Sequence, residues 1–294
     1  MKKIAAIHDM SCLGRCALTV IIPILSAEGV QVVPIPTALL STHTGGFEHP
    51  YFVDLSDEMQ KIIEHFEVLD VKFDAIYSGF LGSARQIHIV EDIIDKFGGN
   101  GPVLVDPVMG DDGKLYSTYT DELVRGMAQL CRKADIITPN LTEAHFLTGI
   151  DTSVTLSDKN EAIELAQKLC FKMQSQLGVD KIVITGIHFG DEIGNAVFED
   201  GIIDIISSPR LARSFPGTGE VFTSTLLGEI VRGKNLSDAA EFATQFTYEV
   251  IKHSQNSPEP TRNGVLLEEC LDILTKNKTS PVSHTADTLP AGEG

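Results

Sequence analysis

Six short β-branched runs, each followed by a longer helical pattern, constrain this chain more than any other feature of its sequence. The runs are KKIAAIH (2–8), VQVVPIPT (30–37), FDAIYSG (73–79), PVLVDPV (102–108), ADIITPN (134–140) and DKIVITGI (180–187). Several are apolar at consecutive positions, the pattern of a strand covered by helices on both faces. Helical patterns fall at about 14–28, 55–69, 83–97, 119–132, 142–149 and 158–176. The segment EIGNAVFEDGIIDIISS then predicts a hairpin turning at Asp200-Gly201, and helices are expected at about 219–232, 236–254 and 263–276. The alternation predicts an α/β fold, a three-layer α/β/α sandwich around a mostly parallel central sheet with right-handed crossovers. No repeat or linker divides the chain, so one domain is expected over 1–278. Residues 279–294, rich in small polar residues and proline, are expected to form a disordered tail.

Charge narrows the partners. There are 23 Lys and Arg against 41 Asp and Glu, a net charge of −18, with no basic block. Nucleic acid and anionic membrane surfaces need clustered cations and are excluded as partners. An acidic protein that handles phosphate must draw counter-charge from backbone amides or a divalent metal. No apolar stretch approaches the ~20 residues of a membrane span. Five scattered cysteines without a CxxC pair predict buried thiols in a reducing compartment, with Cys12 and Cys16 on the first turn of a helix. A soluble, cytoplasmic protein is expected.

In an open parallel sheet, ligands bind beyond the carboxyl ends of the strands. Polar segments follow all six strands here: HDMS, STHTGG, SGFLGS, DPVMGDDGK, TPNLTE and TG. Asp106 ends an apolar strand and is locked by Pro107. It reads either as a capped turn or as a rigid carboxylate over a metal–phosphate site. Asn140 and Glu143 stand three apart at a helix start. They can form a capping box, or orient water on Mg²⁺, which needs few protein carboxylates. His43, Thr44 and Gly45 could meet a small substrate, although a lone histidine is also a common structural group. In FPGTGEVF (215–222), Gly217-Thr218-Gly219 runs into a helix with Glu220 at the junction. The glycines suit an anion cradle at a helix start, and the glutamate either complements the helix dipole or acts as a general base. No GxxxxGK[ST] loop is present, and no GxGxxG follows the first strand, which argues against a P-loop or nicotinamide-binding protein. Phosphoryl transfer from a nucleotide to a small alcohol fits what remains.

YSGFLGS (77–83), DPVMGDDGK (106–114), TPNLTE (138–143) and GTGE (217–220), in this order, resemble the pyridoxal/pyridoxamine kinases of the ribokinase-like superfamily. The likeness covers about residues 1–275. It implies ATP, Mg²⁺, phosphorylation of the 5′-hydroxyl of a B6 vitamer, and a homodimer. It places an anion hole on Gly217 and Gly219, and metal and nucleotide contacts on Asp106, Asn140 and Glu143. Further nucleotide contacts fall on Thr138, Thr185, Gly186 and Thr218, and vitamer contacts on Asp9 or Ser11 and on Thr44 with Gly45. The family's base is an aspartate, whereas this chain carries Glu220. The absence of a GGGAG-like run after the first strand favours B6 over hydroxymethylpyrimidine, the alternative substrate. A low-activity vitamer- or nucleotide-binding protein derived from a kinase is the rival class.

Overall fold

The computed structural model describes residues 1–276. The strands are β1 (Lys3–Leu13), β2 (Gln31–Thr42), β3 (Phe52–Asp54), β4 (Ala75–Ser78), β5 (Val103–Val105), β6 (Gly110–Asp111), β7 (Lys114–Leu115), β8 (Ile136–Ile137), β9 (Lys181–Phe189), β10 (Glu192–Glu199) and β11 (Ile202–Pro209). The helices are α1 (Leu18–Ala27), α2 (Ser56–Val68), α3 (Ala84–Phe97), α4 (Asp121–Cys131), α5 (Leu141–Thr148), α6 (Lys159–Leu177), α7 (Thr218–Val231), α8 (Leu236–Ser254) and α9 (Leu271–Lys276). Nine strands form one sheet in the order β11-β10-β9-β8-β5-β4-β1-β2-β3. The six from β9 to β2 are parallel, and antiparallel strands close both ends.

Strand periodicity builds the layers. Ala5, Ile7, Ile76, Val103, Val105, Ile137, Ile182 and Ile184 pack with residues of α2 to α6 on one face. Their alternating neighbours Ile4, Ala6, Tyr77, Leu104, Ile136 and Val183 pack with α1, α7 and α8 on the other. A side-chain period of two gives each buried strand two apolar faces, so the expected three-layer sandwich is what forms. The predicted hairpin also forms, and its turn is left-handed at both centres, with φ of 53° at Asp200 and 79° at Gly201. Among the described residues no helix is long and apolar enough to cross a membrane. The expected boundary at 278 and tail 279–294 lie outside the described residues.

Several expectations need correction. β1 runs on to Leu13 and β2 to Thr42, past the points where apolar alternation ends. Ladder pairing holds these extensions, with Ser11 opposite Leu40 and Leu13 opposite Thr42. Cys12 is therefore an exposed strand residue, not a helical one, and not buried; Cys16 precedes α1 and is buried. β3 and the β6–β7 hairpin carry too few residues for periodicity to reveal. The last expected helix shortens to α9 behind two 3₁₀ turns, Thr261–Asn263 and Leu267–Glu269.

Candidate active site

The chain reverses direction across the sheet between β1 and β4, because β2 lies on one side of β1 and β4 on the other. Above the carboxyl ends of these strands opens a cavity of about 920 Å³. Glu220, Gly217, Gly219, Thr218, Asp9, His43, Thr44, Gly45, Asp106, Thr138, Asn140, Glu143, Thr185 and Gly186 all line it. Ser11 does not line it. That hydroxyl is fully buried behind Asp9 and donates to Asp9 Oδ2 at 2.9 Å.

α7 begins on Gly217, whose φ is +84° and which has no side-chain cap. A Cβ on Gly217 would lie 2.2 Å from the Arg15 carbonyl oxygen, so close approach and left-handed backbone both demand glycine. The first intrahelical bond runs from Val221 N–H to Gly217 O. The amides of Thr218, Gly219 and Glu220 precede it, at the positive end of the helix dipole. Glu220 lies at the cavity edge with Oε1 accepting from Ala17 N–H at 3.4 Å. The same Oε1 is 3.8 Å from His8 Nε2.

α5 begins differently. Asn140 Oδ1 accepts from Glu143 N–H at 2.9 Å and Glu143 Oε2 accepts from Asn140 N–H at 2.8 Å, a complete capping box. Glu143 Oε1 accepts from Met109 N–H at 3.1 Å, and Asn140 Nδ2 donates to the Gly110 carbonyl at 2.9 Å. Thr142 Oγ1 accepts from Gly113 N–H at 2.8 Å. The cap thus also anchors the β6–β7 hairpin, whose Asp111-Asp112-Gly113 turn edges the cavity. Thr185 N–H donates to the Pro139 carbonyl at 2.9 Å, and Gly186 adopts φ +70°.

Six carboxylates line the cavity (Asp9, Asp106, Asp111, Asp112, Glu143 and Glu220), and among the described residues no Lys or Arg does. Burial first, and then the Glu220 charge, push Asp106 up to about 7. Burial and the Asp106 charge likewise push Glu143 upward, against the two backbone N–H bonds that favour its ionised form. Such a wall of acids is chemically matched to a divalent cation. No three His, Cys, Asp or Glu side chains converge on a metal position among the described residues. Mg²⁺ fits that donor set, because it is commonly held by one or two carboxylates together with phosphate oxygens and water.

His43 is tied into structure. Its Nε2 meets the Arg262 carbonyl at 2.7 Å, and its Nδ1 accepts from Gly45 N–H at 3.1 Å. These bonds fix the Nε2–H tautomer and hold the 43–46 loop against the 3₁₀ turn. Sequence reasoning passed over His8, which is 1% exposed and sits under Glu220 at the strand reversal. The available signal was its position, beside Asp9 at the end of the first apolar run. Phe80, Tyr116 and His188, also on the wall, were missed for want of any local pattern.

The matching family model, described as phosphomethylpyrimidine kinase, spans residues 22–262. The chain belongs to the phosphomethylpyrimidine kinase family. A pyridoxal kinase of Arabidopsis thaliana is 32% identical over 234 residues, covering 74% of this chain and 71% of that protein. A crystal structure from Bacteroides thetaiotaomicron, of a candidate phosphomethylpyrimidine kinase in a form with pyridoxal, has a TM-score of 0.86 at 40% identity. It covers 93% of this chain and 95% of its own. The pyridoxal kinase of Lactobacillus plantarum also has a TM-score of 0.86, at 29% identity, over 95% of this chain and 98% of its own. The ribokinase-like α/β/α architecture expected from the motifs is therefore the architecture of this family member's relatives.

Proposed function

We propose that this protein is an ATP-dependent kinase that phosphorylates the 5′-hydroxyl of pyridoxal and related B6 vitamers. The observation that carries the reading is the start of α7. An uncapped helix terminus, with its glycines, opens beside a carboxylate into a cavity rich in acids. The first-turn amides of Thr218, Gly219 and Glu220, presented by the Gly217 turn, suit the negative charge that develops on a transferring phosphoryl group. Glu220 is the general base: Oε1 is engaged by Ala17, and Oε2 accepts the proton of the substrate hydroxyl. Asp9, Thr44 and Gly45 form the vitamer side, with His43 holding that loop in place. Thr138, Asn140, Thr185, Gly186 and Thr218 form the nucleotide side.

Asp106, with Glu143 through water, would hold Mg²⁺. A cation there supplies the positive charge that the wall otherwise lacks for a nucleotide's phosphates. Asn140 and Glu143 keep the β6–β7 hairpin and the nucleotide side in register by their capping bonds. A homodimer in the cytoplasm completes the reading; light scattering of the purified protein checks the assembly.

Hydroxymethylpyrimidine is the second reading, favoured by the description of the family model that matches. The deciding experiment is turnover with ATP and Mg²⁺ against pyridoxal, pyridoxamine, pyridoxine and hydroxymethylpyrimidine, with product phosphates resolved by chromatography. Preferred phosphorylation of B6 vitamers, abolished by EDTA, is expected. Turnover of hydroxymethylpyrimidine alone would transfer the assignment, and vitamer binding without turnover would make the protein a binder.

A further inference from the structure

His8 has no place in the function just described, yet it is built into the site with unusual care. Its ring is buried in the middle of β1, beside the irregularity in the ladder between His8 and Met10, and packs against Gly79, where a Cβ would lie 2.0 Å from the imidazole Cδ2. Tyr77 from β4 meets it edge-on, with ring centroids 6.4 Å apart. Nδ1 is 2.9 Å from Asp9 Oδ1 and 3.0 Å from Asp9 N. Asp9 is oriented in turn by the Ser11 hydroxyl. Nε2 is buried without a hydrogen-bond partner, and Glu220 Oε1 stands 3.8 Å away.

We propose that His8 is the positioning residue for Glu220, holding Oε1 through Nε2–H so that Oε2 is left facing the substrate hydroxyl. The proposal rests on the reading of Glu220 as the base. The proton on Nε2 follows from the neighbours. If Nδ1 accepts from Asp9 N–H, the neutral ring carries its hydrogen on Nε2. If Nδ1 donates to the Asp9 carboxylate, a neutral ring would aim a lone pair at Glu220, and that repulsion favours the doubly protonated ring. Both favourable arrangements put N–H towards Glu220. Burial disfavours the charged ring, but Asp9, Glu220 and Asp106 outweigh it and raise His8 above its usual value of 6.5.

The length of the Glu220 side chain, one methylene more than an aspartate's, is what this arrangement has to control. The extra methylene adds a rotatable bond, and a base that swings is a poor base. Ala17 N–H and His8 Nε2–H converge on the same oxygen, Oε1, and so restrain the added torsion. The 3.8 Å gap is a contact that closes as substrate orders the site, since such bonds are often long in ligand-free structures.

The test is a double-mutant cycle between positions 8 and 220, read as kcat and KM for ATP and pyridoxal. His8→Phe keeps the ring but removes both nitrogens. It is expected to lower kcat by ~10²-fold, as for a reacting group misplaced by about 1 Å, with KM for ATP unchanged. His8→Gln, whose amide nitrogen can reach the place of Nε2, should recover most of that loss. In a Glu220→Gln background, His8→Phe should cost no more than about twofold further, because residues acting as a unit are non-additive. Full additivity, or a rise in KM without a fall in kcat, would overturn the role of His8 while an impaired Glu220→Gln left the base reading standing. A fully active Glu220→Gln enzyme would remove both. Should His8→Phe fail to fold, parent-like kcat in a folded His8→Asn variant, whose amide cannot reach Nε2, would overturn the proposal.

Discussion

Two helices of this protein start at the same cavity with a glutamate in the first turn, and they start in opposite ways. At α5, Glu143 closes a capping box and its two oxygens serve the backbone amides of Asn140 and Met109. At α7, Gly217 offers no side-chain cap, and Glu220 turns to Ala17 and His8. A satisfied helix start is a structural joint. An unsatisfied one is a reservoir of N–H donors, tolerable because a ligand can complete it. The same residue type thus has both oxygens on backbone amides in one place and lies at the cavity edge in the other, where we propose that it is the base.

The sharpest way to break this comparison is to remove charge from the α7 glutamate. Glu220→Gln is expected to lose ~10²–10⁴-fold in kcat, the usual value of general-base catalysis. Its melting temperature should stay near the parent's, because its side chain closes no cap. Steady-state kinetics beside a thermal melt check both halves, and a fully active variant would end the base assignment.

Asp106 lies between the two helix starts and should show the consequence of the acid wall. Asp106→Asn is expected to lower turnover by about 10²-fold or more if it holds the cation. In the ligand-free protein the sign of its effect on stability is opposite. The folded-state value of about 7 lies above the ordinary 3.8. Its favourable contribution is therefore complete below about pH 4 and fades as pH rises through about 7. Asp106→Asn should flatten that decline and melt higher than the parent at pH 8, with chelator present. A parent that melts equally well at pH 5 and pH 8, with the variant tracking it, would contradict this electrostatic account.

The smallest effect is expected at the satisfied start. Asn140→Ala deletes the α5 cap, and cap removal costs ~1 kcal/mol. The β6–β7 hairpin loses its tether to Asn140 Nδ2 as well. A melting point lower by a few degrees, with kcat near parent and a higher KM for ATP, is the expected result. An Asn140→Ala protein that melts like the parent but has lost turnover would place Asn140 in the chemistry rather than the scaffold.

Much of this molecule was legible in its residue pattern. Consecutive apolar runs such as VLV at 103–105 specify doubly covered strands, and GTGE before an apolar helix marks the uncapped start. The pattern could not show that β1 would continue through Asp9 to Leu13. Met10, Ser11 and Leu13 are held by cross-strand partners in β2, distant in sequence, not by their own periodicity. His8 was missed for a related reason: its importance depends on Gly79 making room and on Glu220, more than two hundred residues away, facing it.

By itself, then, the sequence determined the layered architecture, the acid-rich rim and the order of motifs, because these depend on local periodicity and on residue type. Tertiary structure alone decided that Glu143 has both oxygens on backbone amides while Glu220 meets a backbone amide through Oε1. It also turned Ser11 inward behind Asp9, satisfied both nitrogens of His43, and left Nε2 of His8 buried beside Glu220. Hydrogen bonds and desolvation are settled by neighbours in space, and a residue's capacity for chemistry depends on which of its atoms those neighbours leave unengaged.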